Sequence, residues 1–361
     1  MKITKLKTVP VNLPLEKPIA TAIHTIRSVG CVLVYLETDQ GITGESYVFT
    51  FNAARLKVFD EMINSFAHHL EGQDPRYVEG IWQKIWSEIN PIGHKGVTIY
   101  ALSALDTACW DLIGKYSEMP LHHIFGACRN TVKTYASGGM WLSSSIDELV
   151  DEAQEFIEQG FLSMKIRVGN QNPETDLERV RIVRETIGRD IELMVDANQG
   201  FTPKQAIRLG RKLEKFDLAW FEEPVSANNL KGHAEVRSAL NIPIASGETE
   251  YTRYGMKAML DAQACDVLMP DLQRIGGLSE FRKVASLAAA YEIPVSTHIF
   301  TEQSLCIAAS SPNCISVEHM PWFSALFCES MEIKDGMLEI PDRPGIGFTF
   351  DADSVKRFRM D

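Results

Sequence analysis

Short apolar runs alternate with helical patterns along most of the chain. From about residue 132, segments of strand length recur between stretches whose apolar positions follow a helical period. Within 162–168, apolar residues alternate with polar ones, which places Lys165 and Arg167 on one face of a strand. Counting from Val132, the pattern predicts eight strands, the last ending at Glu318. Strands that alternate with helices in this way are typical of a parallel barrel.

The chain before about residue 125 has a different order of elements. Three predicted strands come first, at Ile3–Leu13, Gly30–Glu37 and Gly41–Val48. Three helical patterns follow, at about 53–70, 76–90 and 97–116. This order predicts a separate α+β domain. We therefore expect one domain at 1–125 and a barrel at 126–324. The tail, 325–361, contains short strands around Asp335-Gly336 and is expected to pack back on the first domain.

A loop rich in small residues, Pro18–Thr25, separates the first two predicted strands. It can act as a lid over the mouth of the neighbouring domain, or it can be an ordinary surface loop. Its composition is compatible with both.

Composition and charge exclude several classes of function. The chain has 361 residues, 36 basic and 48 acidic, for a formal net charge of −12, which disfavours nucleic acid or an anionic membrane as a partner. No apolar run approaches the roughly 18 residues of a membrane span, and Met1–Lys5 leads into a strand pattern rather than a secretory signal. Seven cysteines without a CxxC pair indicate reduced thiols and a cytoplasmic protein.

A series of polar residues follows successive predicted strands. Asp196, Glu222 and Glu248 each come directly after an apolar run, and 26 residues separate each from the next. Asp271 and His298 continue the series after the next two strands. A strand, a helix and their loops take about 25 residues, so these side chains fall at the same point of successive units. In a parallel barrel that point is the C-terminal mouth, where catalytic groups collect.

Three converging carboxylates predict a divalent-metal site. Oxygen ligands alone favour Mg²⁺, with Mn²⁺ as an alternative, over zinc, which usually recruits His or Cys. Such an ion acts as a Lewis acid on a substrate carboxylate and stabilises the charge formed when the neighbouring C–H loses its proton. His298 is then the expected base, and Asp271 is expected to orient its ring.

Further polar residues complete the predicted site. Lys165 and Arg167 are expected on the opposite side of the mouth, as catalytic groups or as countercharges to the carboxylates. Glu318, if protonated, can donate a hydrogen bond to an enolate oxygen; otherwise it is a structural carboxylate. Asn198 is either a loop cap or a polar group near the metal.

These residues together resemble the enolase superfamily, and within it the mandelate racemase group. The resemblance rests on eight short motifs in order along nearly the whole chain: Lys165–Arg167, Val195–Asn198, Phe221–Pro224, Gly247-Glu248, Pro270-Asp271, Gly276-Gly277, Thr297-His298 and Glu318. It implies a modified TIM barrel, (β/α)₇β, with an N-terminal α+β capping domain that the C-terminal tail completes. It also implies a homo-oligomer, either a dimer or an octamer.

The resemblance assigns roles to single residues. It implies that Asp196, Glu222 and Glu248 bind Mg²⁺, that His298–Asp271 is the base dyad and that Glu318 assists at the enolate. Two loops of the capping domain, Ala20–His24 and Tyr47 to about Asn52, are implied to shape specificity. Together with Asn198, this makes His24 and Tyr47 candidates for substrate binding.

One residue departs from the pattern of the family. Its usual Lys-x-Lys motif places a second base opposite the histidine, and here that position is Arg167, which stays protonated at ordinary pH. We therefore expect an acid-sugar dehydratase that acts on a small carboxylate and forms a 2-keto-3-deoxy acid. A racemase or epimerase, with Lys165 or Arg167 as the second base, is the alternative. A non-catalytic metabolite-binding module is a third possibility.

Overall fold

An antiparallel three-stranded sheet opens the computed structural model, which describes residues 1–360. Its strands are β1 (Ile3–Ala20), β2 (Thr25–Thr38) and β3 (Thr43–Phe51), with β2 in the centre. Five helices and one 3₁₀ turn (Pro75–Tyr77) follow: α1 (Leu56–Ser65), α2 (Ala67–Leu70), α3 (Val78–Glu88), α4 (Val97–Tyr116) and α5 (Leu121–Phe125). Strands followed by helices form the α+β cap that their order in the sequence predicts.

The first two strands are longer than predicted. Pairing of β1 with β2 resumes beyond a register shift between Pro14 and Ile19. Pro14 and Pro18 hide this continuation in the sequence, because proline cannot donate a hydrogen bond to a neighbouring strand. The predicted loop Pro18–Thr25 is therefore reduced to the turn 21–24.

Eight parallel strands form the barrel, and its last strand pairs with its first. They are β4 (Thr131–Ala136), β5 (Ser163–Arg167), β6 (Glu192–Asp196), β7 (Leu218–Glu222), β8 (Ile244–Ser246), β9 (Val267–Leu268), β10 (Val295–Ser296) and β11 (Cys314–His319). Seven connecting helices lie between them: α6 (Ile146–Glu158), α7 (Pro173–Ile187), α8 (Pro203–Leu213), α9 (Leu230–Ala239), α10 (Thr252–Asp261), α12 (Leu278–Ala290) and α13 (Thr301–Ser310). A one-turn helix, α11 (Leu272–Ile275), precedes α12. The predicted (β/α)₇β barrel is confirmed.

Local sequence signals set the start of several barrel helices. A capping box joins Ser145 and Glu148 at the first turn of α6. Thr202 and Gln205 form the same motif at α8, where Pro203 occupies the first helical position. These caps fix where each helix leaves the loop at the mouth of the barrel.

The C-terminal tail contacts both parts of the molecule. After a 3₁₀ segment (Pro321–Leu326), β12 (Ile333–Lys334) and β13 (Met337–Glu339) form a hairpin, and β13 pairs antiparallel with β4 of the barrel. The expectation that these strands pack on the cap is therefore wrong for the hairpin. The chain then returns to the cap through α14 (Ala352–Phe358), and the Met360 N–H donates to the Pro10 carbonyl at 2.9 Å.

Cap and barrel share one hydrophobic core. Tyr47 and Phe49 of β3 pack against Phe300 and Phe323 from the barrel side, with ring centroids 4.9 to 5.8 Å apart. This shared core places the 21–24 turn over the C-terminal mouth. No helix within residues 1–360 is long and apolar enough to cross a membrane.

Candidate active site

The polar series of the sequence lies at the C-terminal ends of the barrel strands. Asp196 and Glu222 end β6 and β7 and are register partners, and Arg167 at the end of β5 is paired with Asp196. Asp271 and His298 form a parallel bridge just beyond β9 and β10. The register of the parallel strands therefore gathers these side chains around one mouth.

The His298 ring is held by Asp271. The Nδ1 atom lies 2.8 Å from Asp271 Oδ2, and Asp271 Oδ1 accepts hydrogen bonds from the backbone N–H groups of Gln273 and Arg274 at 2.8 and 2.9 Å. Asp271 is thus the N-cap of α11 as well as the partner of His298. Because Nδ1 faces a carboxylate, the favoured neutral tautomer carries its proton there and leaves Nε2 as the basic nitrogen. Nε2 lies 3.4 Å from Glu248 Oε1.

The electrostatic environment of His298 is dominated by negative charge. Burial alone lowers the pKa of His298, but Glu248, Asp271 and Glu318 outweigh it and raise the pKa to about 9. The negative charge of these carboxylates stabilises the protonated ring and so produces the upward shift.

The candidate metal ligands are buried and crowded. Asn198 donates to Asp196 through its backbone N–H at 2.8 Å and its side-chain amide at 2.9 Å. Trp220 Nε1 donates to Glu222 Oε2 at 2.9 Å. Burial, with the charge of neighbouring carboxylates, raises the pKa of Asp196 and Glu222, although Lys165 opposes the shift. A divalent cation would relieve this crowding, so the donor set fits Mg²⁺.

The three carboxylates do not form a compact cluster. Within residues 1–360, groups of three potential ligands with atoms within 4.8 Å of one another occur at His68–His69–Glu88 and His122–His123–Asp342, away from the mouth. The trio Asp196, Glu222 and Glu248 is not such a group. The fit to a cation therefore rests on burial, on oxygen chemistry and on the raised pKa values of Asp196 and Glu222.

Lys165 is an ammonium group surrounded by carboxylates. Its Nζ lies 2.6 Å from Glu222 Oε1, 2.9 Å from Glu318 Oε1 and 3.8 Å from Asp196 Oδ2. Burial lowers the pKa of Lys165, but these carboxylates more than reverse the effect and raise the pKa above its ordinary value. Lys165 is therefore held as a cation rather than as a free amine.

Arg167 is fixed on the same face. Its Nη1 donates to the carbonyls of Ser137 at 2.7 Å and Gly139 at 3.1 Å, and its Nη2 donates to Ser137 Oγ at 2.8 Å. The guanidinium lies 4.0 Å from the ring centroid of Trp141. Nε is buried without a hydrogen-bond partner and lies 3.8 Å from Asp196 Oδ2. One N–H of this residue thus faces Asp196 without forming a hydrogen bond.

Glu318 is surrounded by hydrogen-bond donors. Its Oε1 accepts from Ser137 Oγ and from Lys165, and its Oε2 accepts from the Ile299 N–H at 2.8 Å. Burial raises the pKa of Glu318, but Lys165, His298 and these hydrogen bonds lower it to about 2. In this arrangement Glu318 is an ionised acceptor, and its role as a donor to the enolate stays a prediction.

A cavity of about 230 Å³ lies between the mouth and the cap. Of the candidate substrate-binding residues, Asn198 and His24 line it, and Asn198 Oδ1 is buried without a partner. Tyr47 does not line it. It is 1 % exposed in the shared core, so its assignment to substrate binding is wrong. Phe51, on the same face at the end of β3, lines the cavity instead.

Glu223 lines the cavity but is absent from the candidates drawn from the sequence. It is 1 % exposed, and burial, Glu248 and Asp196 raise its pKa to about 8. Gln199 Nε2 and Thr249 Oγ1 donate to it at 3.1 and 2.9 Å. Its neighbour Glu222 ends a strand and satisfies the 26-residue spacing, which is why the spacing does not identify Glu223.

The turn of the cap is fitted to two glycines of the barrel loops. A Cβ atom added at Gly169 or at Gly200 would lie 2.9 or 3.0 Å from the methyl group of Ala22. Ala22 therefore occupies a notch, here called the glycine notch, that only residues without side chains leave open. The notch holds Ile23 and His24 at the rim of the cavity.

The two parts of the chain match two family models. Residues 3–126 match the mandelate racemase / muconate lactonizing enzyme N-terminal domain, and residues 148–354 match the enolase C-terminal domain-like family.

Characterised relatives resemble the chain over most of its length. D-galactarolactone cycloisomerase of Agrobacterium fabrum is 35% identical, over 100% of this chain and 99% of that protein. L-talarate/galactarate dehydratase of Salmonella typhimurium is 33% identical, over 93% of this chain and 86% of that protein. The structure of L-talarate dehydratase from Polaromonas, complexed with Mg and L-glucarate, has a TM-score of 0.93 at 32% identity, covering 100% of this chain and 98% of that one. The chain therefore belongs to the enolase superfamily, in its mandelate racemase/muconate lactonizing enzyme family.

Proposed function

We propose that the protein is a Mg²⁺-dependent acid-sugar dehydratase. The proposal rests on a chemical difference between the two faces of the cavity: only one of them has a group that can act as a base. His298, with a pKa of about 9, can release its proton and present Nε2 as a base, whereas Arg167 and Lys165 stay cations. A site with one base supports β-elimination, while a racemase needs a base on each face.

The proposed mechanism assigns each step to named side chains. Asp196, Glu222 and Glu248 would hold Mg²⁺, which supplies Lewis-acid stabilisation of negative charge on the substrate carboxylate. His298 Nε2 takes the proton from the carbon α to that carboxylate, while Asp271 holds the ring and its Nδ1–H. The electron pair of the broken C–H bond forms an enolate. Lys165 and the free Nε–H of Arg167 add positive charge on the opposite side.

Loss of water completes the reaction. The C–O bond at the β carbon breaks, and the departing hydroxide takes its proton from the His298 imidazolium in a syn elimination. The resulting enol tautomerises to a 2-keto-3-deoxy acid. In this mechanism base and acid are one residue, His298.

The proposal is tested with a panel of sugar acids in the presence of Mg²⁺. We expect a 2-keto acid whose mass is lower than that of the substrate by one water, together with α-deuterium exchange in D₂O. Repeating the assay with Mn²⁺ tests the second candidate ion. If the product is an epimer of unchanged composition, the protein is a racemase or epimerase. If no acid in the panel undergoes exchange, the remaining explanation is a non-catalytic metabolite-binding module.

A cycloisomerase is the second candidate, supported by a relative of that name that matches the chain end to end. The same proton abstraction by His298 can expel a ring oxygen of a lactone rather than hydroxide. The product then has the mass of the substrate but carries a 2-keto group. Mass spectrometry separates this product from that of dehydration, and carbonyl trapping separates it from an epimer.

We also propose that the protein is a homo-oligomer, either a dimer or an octamer. Light scattering on the purified protein distinguishes these states from a monomer.

A further inference from the structure

Charged side chains and an apolar wall both line the cavity. Lys165, Arg167 and several carboxylates come from the ends of the barrel strands, and six apolar residues form the wall: Ile23, Ile26, Phe51, Trp141, Met320 and Trp322. The rings of this wall are packed together, with Trp141 stacked on Trp322 at 5.7 Å and Phe51 edge-on to Trp322 at 5.8 Å. Their positions are thus fixed before a ligand binds.

The cations that line the cavity make contacts within the protein. Three carboxylates surround Lys165, and both Nη atoms of Arg167 donate to Ser137 or Gly139. Arg274 donates through Nε to Tyr100 Oη at 3.0 Å and through Nη1 to the Glu248 carbonyl, and it lies 3.9 Å from Asp271 Oδ2. Arg167 lies against the ring of Trp141 in this wall, and its guanidinium is held by the Ser137 and Gly139 carbonyls.

His24 does not supply the missing charge. Its ring lies against Phe51 with centroids 5.4 Å apart, and burial together with the positive charge of Arg274 lowers its pKa. His24 is therefore a neutral donor or acceptor at neutral pH, suited to a hydroxyl group rather than to a carboxylate.

We infer that the substrate is a monocarboxylate whose end remote from the carboxylate presents a sugar ring or an alkyl surface. This inference rests on the proposed function. A second carboxylate at the remote end would be desolvated against aromatic rings with no cation that is free of other contacts, which is unfavourable. The C–H face of a ring packs favourably on the same aromatic surface.

Ile23 supports this conclusion independently. It stands at the rim with 52 % of its surface exposed, although the turn that carries it is held in the glycine notch. An exposed apolar side chain at the entrance of a cavity matches a ligand that is apolar on that side.

The test compares sugar acids that differ at one end only. For each configuration, the aldonate, the corresponding aldarate and the aldarate monolactone are assayed with Mg²⁺ for α-deuterium exchange and for kcat/KM. We expect the better of the two monocarboxylates to exceed the diacid by about tenfold or more. Equal or faster turnover of the diacid overturns the inference and leaves the proposed function intact. Absence of exchange with all three classes contradicts the proposed function, and the inference falls with it.

A variant adds the missing charge. Ile23→Arg places a cation at the exposed rim, and it is expected to raise kcat/KM for the diacid at least about fivefold relative to Ile23→Gln, the uncharged polar control. Ile23 is exposed, so neither variant removes a buried contact on which folding depends. If the two variants treat the diacid alike, the absence of a cation is not what limits diacids, and the inference is wrong.

Discussion

The two faces of the cavity differ in how firmly their side chains hold a proton. The base face consists of His298 and Asp271, and the cation face of Lys165 and Arg167. On the base face, one hydrogen bond of 2.8 Å fixes the ring and leaves Nε2 facing the cavity. On the cation face, three carboxylates surround Lys165, and two carbonyls and a hydroxyl group hold Arg167. Proton transfer is therefore expected on one side only.

The largest expected effect comes from removing the base. His298→Asn should lower both α-deuterium exchange and keto-acid formation by about 10³–10⁴-fold, because no other group on that face can take the proton. Calorimetry should find Mg²⁺ binding retained, which serves as the control. Turnover at the wild-type rate would show that a group other than His298 is the base, and the proposed difference between the two faces would be wrong.

The next effect concerns the tautomer. In Asp271→Asn, one oxygen can still cap α11, but an amide N–H then faces His298 Nδ1 and favours the ring with its proton on Nε2. We expect kcat to fall by about 10²–10³-fold. Thermal unfolding should change little, since the helix cap is retained. A large loss of Tm with kcat preserved would mean that Asp271 is a structural cap only.

The cation face is expected to matter more for stability. Lys165→Met leaves Glu222 and Glu318 buried without their counter-ion, which should lower the free energy of unfolding by about 3–5 kcal/mol in the absence of Mg²⁺. Added Mg²⁺ should recover part of the loss. Lys133→Met is the control, because its ion pair with Glu192 is partly exposed and should contribute under about 1 kcal/mol. Equal losses in the two variants, measured by denaturant unfolding, would contradict the role of Lys165.

Arg167→Lys tests whether a side chain that can lose its proton on the cation face changes the reaction. The variant loses the fixed Nε–H and gains an amine that can titrate, so we expect about a tenfold loss of keto-acid formation and the appearance of an epimer by NMR. Arg167→Gln should lose activity to a similar degree without epimer formation. If neither variant forms an epimer, the side chain at position 167 does not decide between elimination and inversion.

The smallest effect is expected from a substitution in the glycine notch, which changes neither face of the cavity. In Gly200→Ala the added Cβ lies 3.0 Å from the methyl group of Ala22 and from the Ala197 carbonyl, and it should displace the turn that covers the cavity. We expect KM to rise about three- to tenfold, with the ratio of exchange to elimination unaltered. Adding Ala22→Gly removes the first of these contacts and should recover part of the loss. Gly80→Ala, where an added Cβ meets nothing within 4 Å, is the silent control.

The alternation of strands and helices was sufficient to predict the barrel and the cap. It failed for β1, where Pro14 and Pro18 interrupt a recognisable pattern while the pairing with β2 continues around a register shift. It also failed for the tail hairpin. The partner of β13 is β4, about 200 residues earlier, and no local signal in residues 325–361 encodes a pairing so distant in sequence.

The site was predictable as far as it depends on the period of the βα units. The even spacing gathers Asp196, Glu222 and Glu248 without any knowledge of side-chain contacts. The protonation of Glu318 was not predictable, since it depends on Lys165 lying 2.9 Å away. Tyr47 shows the same limit. Strand alternation gives the face on which it lies but not the depth at which β3 meets the cavity.

The glycine notch also bears on how such an enzyme can be diversified. Ala22 is constrained by the barrel loops, whereas Ile23 and His24 beside it contact the cavity and are free of that constraint. A combinatorial library that randomises positions 23 and 24 while retaining Ala22, Gly169 and Gly200 would therefore vary the entrance while the anchor stays in place. Libraries that also randomise position 22 should contain a larger share of variants whose cover is misplaced and whose selectivity is lost.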